Sequence, residues 1–444
     1  MIRYKSVILF LVVLLLTLSS KAQEVSSIPL SQLIELGLES NPQVQIMINR
    51  AEMARNNHSY QPFLPSVRGT GRYNKSRTES KITLAQGEGV TRQFRDARSE
   101  NLNGGINLSW RLFDGLAMFA NFNRTAWNLS LSEMQTRRTV EDLVVNISNQ
   151  YYRIVVQQHR MDAAQQLMNL SRERFRIITE KVNIGTASGM DLQQARLDFN
   201  ADSSYYVRQT ENLRNAYVRL NRLVNLDLAS SMYVSDTISL GLPLVQDDLE
   251  LMALENNSLL AASAMGISIS QEELRLATAA RFPTLDFVTG YTYNRSESPA
   301  SVTTFNQSKG FNYGLEASMN IFNGSQVNRA IKNARIEIEN RELTYEDAKL
   351  QVFSEMAMLY NTYINNLLMV DFEKQNVEVS RNNLNLALER YELGVLSGLG
   401  FREFQLSYIN AVDRSLDAMY QSKVLELSLL VLSGQMEEFL ERIY

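Results

Sequence analysis

Polar and apolar residues follow two rhythms along this chain of 444 residues, and each rhythm occurs twice. From 102 to 112 the period is two: Leu102, Gly104, Ile106, Leu108, Trp110 and Leu112 alternate with Asn103, Gly105, Asn107, Ser109 and Arg111. From 311 to 321, Phe311, Tyr313, Leu315, Ala317, Met319 and Ile321 alternate with Asn312, Gly314, Glu316, Ser318 and Asn320. A partner strand precedes each run, at about 66–74, where the apolar face is weak, and at 284–293, where Leu285, Phe287, Tyr291 and Tyr293 alternate with Asp286, Gly290 and Thr292. The pattern predicts two β-hairpins with one apolar face and one polar face, their strands joined by polar loops at about 75–101 and 294–310.

Directly after each hairpin the period becomes helical. Residues 116–184 and 325–393 are each 69 positions long without Gly or Pro, bracketed by Gly115 and Gly185 and by Gly324 and Gly394. A helix of that length runs roughly 100 Å. Phe353, Met356, Tyr360, Tyr363, Leu367 and Val370 recur at spacings of three and four, which predicts a buried coiled-coil seam. The first helix gives Val144, Ile147, Tyr151, Ile154, Gln158 and Met161 at the same places, with only Gln158 breaking the stripe. A second helix is predicted after each terminal glycine, at 190–226 and 401–433, so each long helix turns back as a helical hairpin.

The two halves overlay without a gap at a shift of 209 residues. Gly105-Ile-Asn-Leu-Ser-Trp-Arg-Leu-Phe-Asp-Gly115 falls on Gly314-Leu-Glu-Ala-Ser-Met-Asn-Ile-Phe-Asn-Gly324, and Ile184-Gly-Thr-Ala-Ser188 on Leu393-Gly-Val-Leu-Ser397. Upstream, Phe63-Leu-Pro65 matches Phe282-Pro283. The expected organisation is one repeat over 23–242 and another over 243–444, each contributing helices, two strands, a long helix and a return helix. Two copies are too few for a stacked solenoid.

Residues 1–22 read as a secretory signal: Arg3 and Lys5, an apolar run from Val7 to Leu16, then Ser20-Lys-Ala22. Removing its three basic residues from 44 leaves 41 against 48 acidic, a net charge of −7 that argues against a nucleic-acid partner. The chain has no cysteine, which excludes disulfides and thiolate chemistry. It has no apolar run of 18 residues, so no spanning helix is expected. His58 and His159 are the only histidines, no paired-His metal spacing or phosphate-cradling loop occurs, and the 17 methionines are dispersed apart from Met356 and Met358. An enzyme, a cofactor and a metal site are not expected.

Half-buried strands of a soluble sandwich would alternate in the same way, but strands of about ten residues whose apolar faces carry Trp110, Tyr291, Tyr293 and Tyr313 favour a bilayer crossed at a tilt. Four strands cannot close a barrel, and an open edge in hydrocarbon leaves backbone groups unpaired at a cost of several kcal/mol each. Copies of the chain must therefore associate.

The duplicated order, together with Val182-Asn-Ile-Gly185-Thr-Ala-Ser188-Gly-Met-Asp191 and Arg390-Tyr391-Glu-Leu-Gly394-Val-Leu-Ser397-Gly-Leu-Gly400-Phe-Arg-Glu403, resembles the TolC family of outer-membrane efflux proteins over essentially all of the mature sequence. The resemblance implies a mainly α protein with a membrane β-barrel portion. Three subunits would contribute four strands each to a twelve-stranded barrel in the outer membrane of a Gram-negative bacterium, above a long α-helical periplasmic barrel. It implies an exit duct for a tripartite efflux pump or for type I protein secretion, joined by a periplasmic adaptor to an inner-membrane transporter of the RND, ABC or MFS type. Family docking positions map to Gly185, Thr186 and Ser188, and to Gly394, Val395 and Ser397. Family gate positions map to Asp191, Tyr391 and Glu403, with an Asp191–Tyr391 hydrogen bond holding the inner hairpin closed. Asp191 equally completes a helix-capping box with Ser188. Gly400 and Leu396 stand where the family carries a second aspartate and a lock arginine. An adhesive or structural trimeric coiled-coil protein of the outer membrane is the alternative, although an adhesin would place its strands together at the C-terminus.

Overall fold

The computed structural model describes residues 28–83, 91–230, 234, 237–298 and 303–441; the expected signal segment lies outside them. The element order is written twice. The first half holds α1 (Leu30–Ser40), α2 (Pro42–Asn57), a short 3-10 turn (Gln61–Phe63), β1 (Ser66–Thr83), β2 (Thr91–Phe113), α3 (Ala117–Asn183) and α4 (Gly189–Leu223). The second holds α5 (Gln246–Asn256), α6 (Ser258–Ala279), β3 (Thr284–Glu297), β4 (Phe305–Ser318), α7 (Gln326–Glu392), α8 (Gly398–Leu432) and the short α9 (Met436–Glu441). The long helices α3 and α7 have 67 residues each, and α4 and α8 have 35 each.

Backbone exceptions keep the 209-residue shift. Among the described residues, positive φ occurs at Gly115 and Gly324, Leu116 and Ser325, Gly185 and Gly394, and Asn225 and Gly434, and Asp96 alone has no counterpart. Two asparagines outside that shift also act alike. Asn41 donates from Nδ2 to the Leu223 carbonyl (2.9 Å) while its Oδ1 accepts from the Gln43 amide (2.9 Å). Asn257 donates to the Leu432 carbonyl (2.7 Å) and accepts from the Leu259 amide (2.9 Å). Each buried amide thus caps the start of one helix and satisfies a carbonyl at the end of another.

The chain divides into two compact units, and neither is a sequence repeat. One contains the described residues up to Ile48, Gln135–Ala261 and Ala348 onward; the other contains Asn49–Met134 and Ala262–Asp347. Each unit draws on both repeats.

In the helical unit the predicted seam supplies the core. Val144, Ile147, Tyr151 and Ile154 of α3, and Met356, Tyr363 and Val370 of α7, are buried. Each such side chain stabilises the fold by about 1.5–3 kcal/mol relative to exposure. Gln158, the polar interruption, donates from Nε2 to the Tyr217 hydroxyl of α4 at 2.9 Å.

The other unit is organised around an antiparallel sheet of order β1-β2-β3-β4, so the second hairpin continues the first. Ser66 lies opposite Ser109, Ile106 opposite Tyr291 and Phe287 opposite Leu315. Val67, Tyr73, Leu102, Ile106, Leu108, Trp110, Leu285, Phe287, Tyr291, Tyr293, Phe311, Tyr313 and Leu315 consequently share one face. Ser, Asn, Thr and Gly dominate the other, with a cross-strand pair from Arg111 Nε to Asp286 Oδ1 at 3.0 Å. At its base, Trp110 donates from Nε1 to the Phe63 carbonyl (2.9 Å), and Phe63 packs against Phe119 with ring centroids 5.1 Å apart.

The boundaries of three strands correct the expectation substantially. β1 runs to Thr83 rather than 74, and β2 begins at Thr91 rather than 102, so most of the expected first loop is strand. In this extension the face that is apolar lower down becomes charged, with the pairs Lys75–Glu100 and Arg77–Asp96, while the other carries mainly Ser, Thr and Ala, so the apolar contrast that marks a half-buried strand is absent. β4 spans Phe305–Ser318 rather than 311–321, starting earlier and stopping three residues short. No helix among the described residues is long and apolar enough to cross a membrane.

Candidate functional site

The two turns that close the helical hairpins are built alike. At the end of α3 the Gly185 amide donates to the Val182 carbonyl (3.0 Å) and the Thr186 amide to Lys181 (2.8 Å). At the end of α7 the Gly394 amide donates to Tyr391 (3.1 Å) and the Val395 amide to Arg390 (2.9 Å). Both are Schellman turns, which need a left-handed residue, and Gly185 and Gly394 supply it at φ +78° and +74°. Nothing lies within 4 Å of a Cβ built at either glycine, so backbone conformation rather than crowding selects them.

Ser188 and Ser397 then begin the return helices. Ser397 Oγ accepts from the Gly400 amide at 3.1 Å. Ser188 forms a full capping box: Asp191 N donates to its Oγ (3.2 Å), while Asp191 Oδ2 accepts from the Ser188 amide (3.1 Å) and hydroxyl (2.7 Å). Those bonds from Ser188 hold the Asp191 carboxyl below its ordinary value. Because the folded-state value is depressed, the cap is complete above about pH 4 and is lost as pH falls through the lowered value. Ser188→Ala is expected to accelerate amide exchange over the first turn of α4 at pH 7 and to remove its acid dependence. Unchanged exchange would refute the cap.

The Asp191–Tyr391 hydrogen bond is not formed within the chain. Asp191 serves its own helix, and the Tyr391 hydroxyl is shielded from solvent without a hydrogen-bond partner among the described residues. The Tyr391 ring instead stacks on Phe401 (centroids 5.1 Å apart), with the Arg174 guanidinium 5.7 Å from its centre. Glu403 is exposed, as are Gly185, Thr186, Gly394, Val395 and Ser397; Ser188 is exposed and Asp191 with it.

An ion-pair network holds the tips together, and sequence reading missed it. Arg174 Nη1 of α3 donates to Asp198 Oδ2 of α4 at 2.8 Å, with both side chains under a tenth exposed. Arg402 of α8 reaches across to Asp202 of α4 with two bonds, Nη1 to Oδ2 and Nη2 to Oδ1, both 2.7 Å, and Ser171 also donates to Asp202. One layer away, Arg160 of α3 pairs with Asp413 (3.2 Å) and Asp417 (2.7 Å) of α8, while the Tyr205 hydroxyl donates to Asp413 (3.1 Å). Burial beside that carboxylate pushes the Tyr205 phenol up to about 12. Position 396 is leucine; the arginines of this network nearest the turns are at 174 and 402. One signal was available: Arg174 and Asp198 lie 11 before and 13 after Gly185, opposite one another across the turn.

Large apolar side chains ring the turns. Ile184, Met190, Leu393, Val395 and Leu399 are each about three-quarters exposed or more. Among the described residues no cluster of three potential metal ligands occurs.

Comparison with known proteins gives a consistent family. The sequence profile described as "Outer membrane efflux protein" matches residues 33–226 and 251–435. The chain is 20% identical over 412 residues to the alkaline protease secretion protein AprF of Pseudomonas aeruginosa, covering 91% of this chain and 84% of AprF. It is 20% identical over 363 residues to the outer membrane protein TolC of Escherichia coli, covering 78% and 72%. In three dimensions it resembles the Campylobacter jejuni CmeC outer membrane channel with a TM-score of 0.74 at 16% identity, over 93% of this chain and 89% of the other. Two matched blocks, one in each repeat, account for most of the sequence, and this chain therefore belongs to the outer membrane efflux protein family, the family of TolC.

Proposed function

We propose that three copies of this chain form the outer-membrane exit duct of a tripartite efflux system. They would conduct substrates passively from a periplasmic adaptor and an inner-membrane transporter to the outside. The observation that carries this reading is the four-stranded sheet with an apolar face, a polar face and two edges left open. Such a sheet is stable in hydrocarbon only when other copies close it into a barrel, with polar residues lining the lumen.

The helices support self-association independently. Ala163, Leu170 and Ile177 of α3 form a half-buried stripe at spacing seven. Their counterparts 209 residues on, Phe372, Val379 and Leu386 of α7, are 64%, 58% and 55% exposed. A seam covered in one repeat is uncovered in the other, as expected when a neighbouring copy covers it.

The tips serve as the docking surface. Gly185, Thr186 and Ser188, with Gly394, Val395 and Ser397, present short turns that a partner's helical end can approach, and the surrounding exposed apolar residues add burial energy. Arg402–Asp202 and Arg174–Asp198 latch the hairpins, and Asp191 and Glu403 place exposed carboxylates near the mouth. Repeated in each copy, these carboxylates favour cations.

In planar bilayers the protein is expected to give slow, cation-preferring openings, and the double variant Asp191→Ala, Glu403→Ala to lose that preference and any block by multivalent cations. Unchanged selectivity would remove both residues from the mouth. Detergent-purified protein that is monomeric would refute the duct itself. A second reading, protein secretion through the same duct, is favoured by the 91% coverage against AprF. A deletion strain with intact drug resistance and a missing secreted protein would select it.

A further inference from the structure

The chain contains one junction between its repeats, the pairing of β2 with β3, and that junction serves as a template for a second. Ser66 opposite Ser109 in the first hairpin corresponds to Thr284 opposite Ser318 in the second. The hairpins therefore superimpose with a shift of 218 from β1 to β3 and of 209 from β2 to β4. Applying these shifts to the β2·β3 register converts each pair within the chain into a pair between β4 and the β1 strand of another copy. Asn107 opposite Gly290 becomes Glu316 opposite Arg72, Ile106 opposite Tyr291 becomes Leu315 opposite Tyr73, and Trp110 opposite Phe287 becomes Met319 opposite Gly69.

We propose that β4 of one copy pairs antiparallel with β1 of the next in this register, with Glu316 directly opposite Arg72 on the polar face as a seam ion pair. This rests on the assembly proposed above and specifies its contacts.

Three observations carry it. First, both side chains are exposed, and the register brings opposite charges face to face although it was fixed by backbone pairing alone. Following opposed residues once around a chain leads from Ser66 through Ser109, Val288 and Gly314 to Asn74 of the next copy, an offset of eight. An even offset keeps every polar residue on one side of a closed barrel; an odd one would invert the faces at each seam.

Second, Gly115 and Gly324 have opposite surroundings. A Cβ at Gly115 would lie 2.6 Å from the Ala279 carbonyl oxygen and 2.8 Å from the Phe282 Cβ, whereas nothing lies within 4 Å of one at Gly324. Phe282 belongs to the second repeat and stands just before β3 as Phe63-Leu64 stands just before β1, so the missing cover of Gly324 is the segment before β1 of a neighbour.

Third, β4 stops at Ser318 where β2, its counterpart, continues to Phe113. The last residues of β2 are held by β3, while Met319, Ile321 and Phe322 are 56%, 93% and 85% exposed. Pairing with β1 of another copy would extend β4 into this apolar stretch and cover it.

The absence of cysteine in the chain makes the register directly testable. Directly opposed residues stand about 4.5–5.5 Å apart at Cα, within disulfide range. The full-length variant Glu316→Cys, Arg72→Cys is expected to cross-link into a ladder ending at the trimer when membranes are oxidised. Glu316→Cys with Thr70→Cys or with Asn74→Cys, each slipped by two residues, should not. Cross-linking of a slipped pair instead overturns the register. Intact trimers that cross-link in none of the three overturn the seam and leave the duct standing. Monomers in every case, including the unmodified protein, overturn both. As a cysteine-independent check, Glu316→Arg is expected to lower the proportion of heat-resistant trimer about fivefold, with Arg72→Glu in the same chain restoring it. Failure of the swap to restore trimers would refute the ion pair.

Discussion

Replacing Arg402 by alanine is expected to unlatch the helical hairpins and give the largest rise in conductance of any single change at the tips. Asp202 is almost fully buried, and two of its three bonds come from the Arg402 guanidinium. Removing the arginine leaves a buried carboxylate supported by Ser171 alone, at a cost of about 3–5 kcal/mol. The cheapest relief is for α8 to move away from α4 so that water reaches Asp202. In bilayers this should appear as a several-fold higher mean conductance, and in cells as sensitivity to large antibiotics normally kept outside. The double variant Arg402→Ala, Asp202→Ala removes the stranded charge and should recover stability without recovering closure. A double variant that closes like the parent would show that the ion pair is not the latch.

Replacing Gly185 and Gly394 together by valine is expected to abolish export while leaving trimers in the membrane. A β-branched residue at φ near +75° costs roughly 1–2 kcal/mol or more at each turn. No neighbouring atom obstructs the new side chains, so the helices still form. The turn geometry and the bare approach to it are what change. Export measured in a strain lacking the native protein should fall at least tenfold, with the trimer level unchanged by gel. Export that survives would move docking away from these turns.

Much of this architecture was legible because it is periodic or repeated. The 209-residue shift located the helix ends through Gly185 and Gly394, and the alternation from Leu102 to Leu112 located the apolar face of β2. Other features had no such signal. In the outer parts of β1 and β2 the face that is apolar lower down carries Lys75, Arg77, Arg98 and Glu100, so the apolar alternation disappears although the strands continue. The contact between Asp202 and Arg402 joins residues 200 apart, and spacing along one helix cannot disclose it. Tyr391 stands three residues before Gly394, and its ring rather than its hydroxyl carries the contacts. Residues 319–321 read as strand because their alternation matches β2, but β4 ends at Ser318; in the proposed assembly their pairing partner is β1 of another copy.

The unequal hairpins have an outward consequence. Beyond Tyr73 and Leu102 the first hairpin continues for ten further residues of β1, whereas the second ends four residues past Tyr293. Pairing between the hairpins stops where Glu100 meets Glu297, leaving β1 and β2 to go on as a lone ribbon for about 25–30 Å. In the proposed orientation each duct carries three such ribbons like battlements, studded with arginine, lysine and glutamate. Phage, antibody and lipopolysaccharide sugar would meet these battlements before they met the opening.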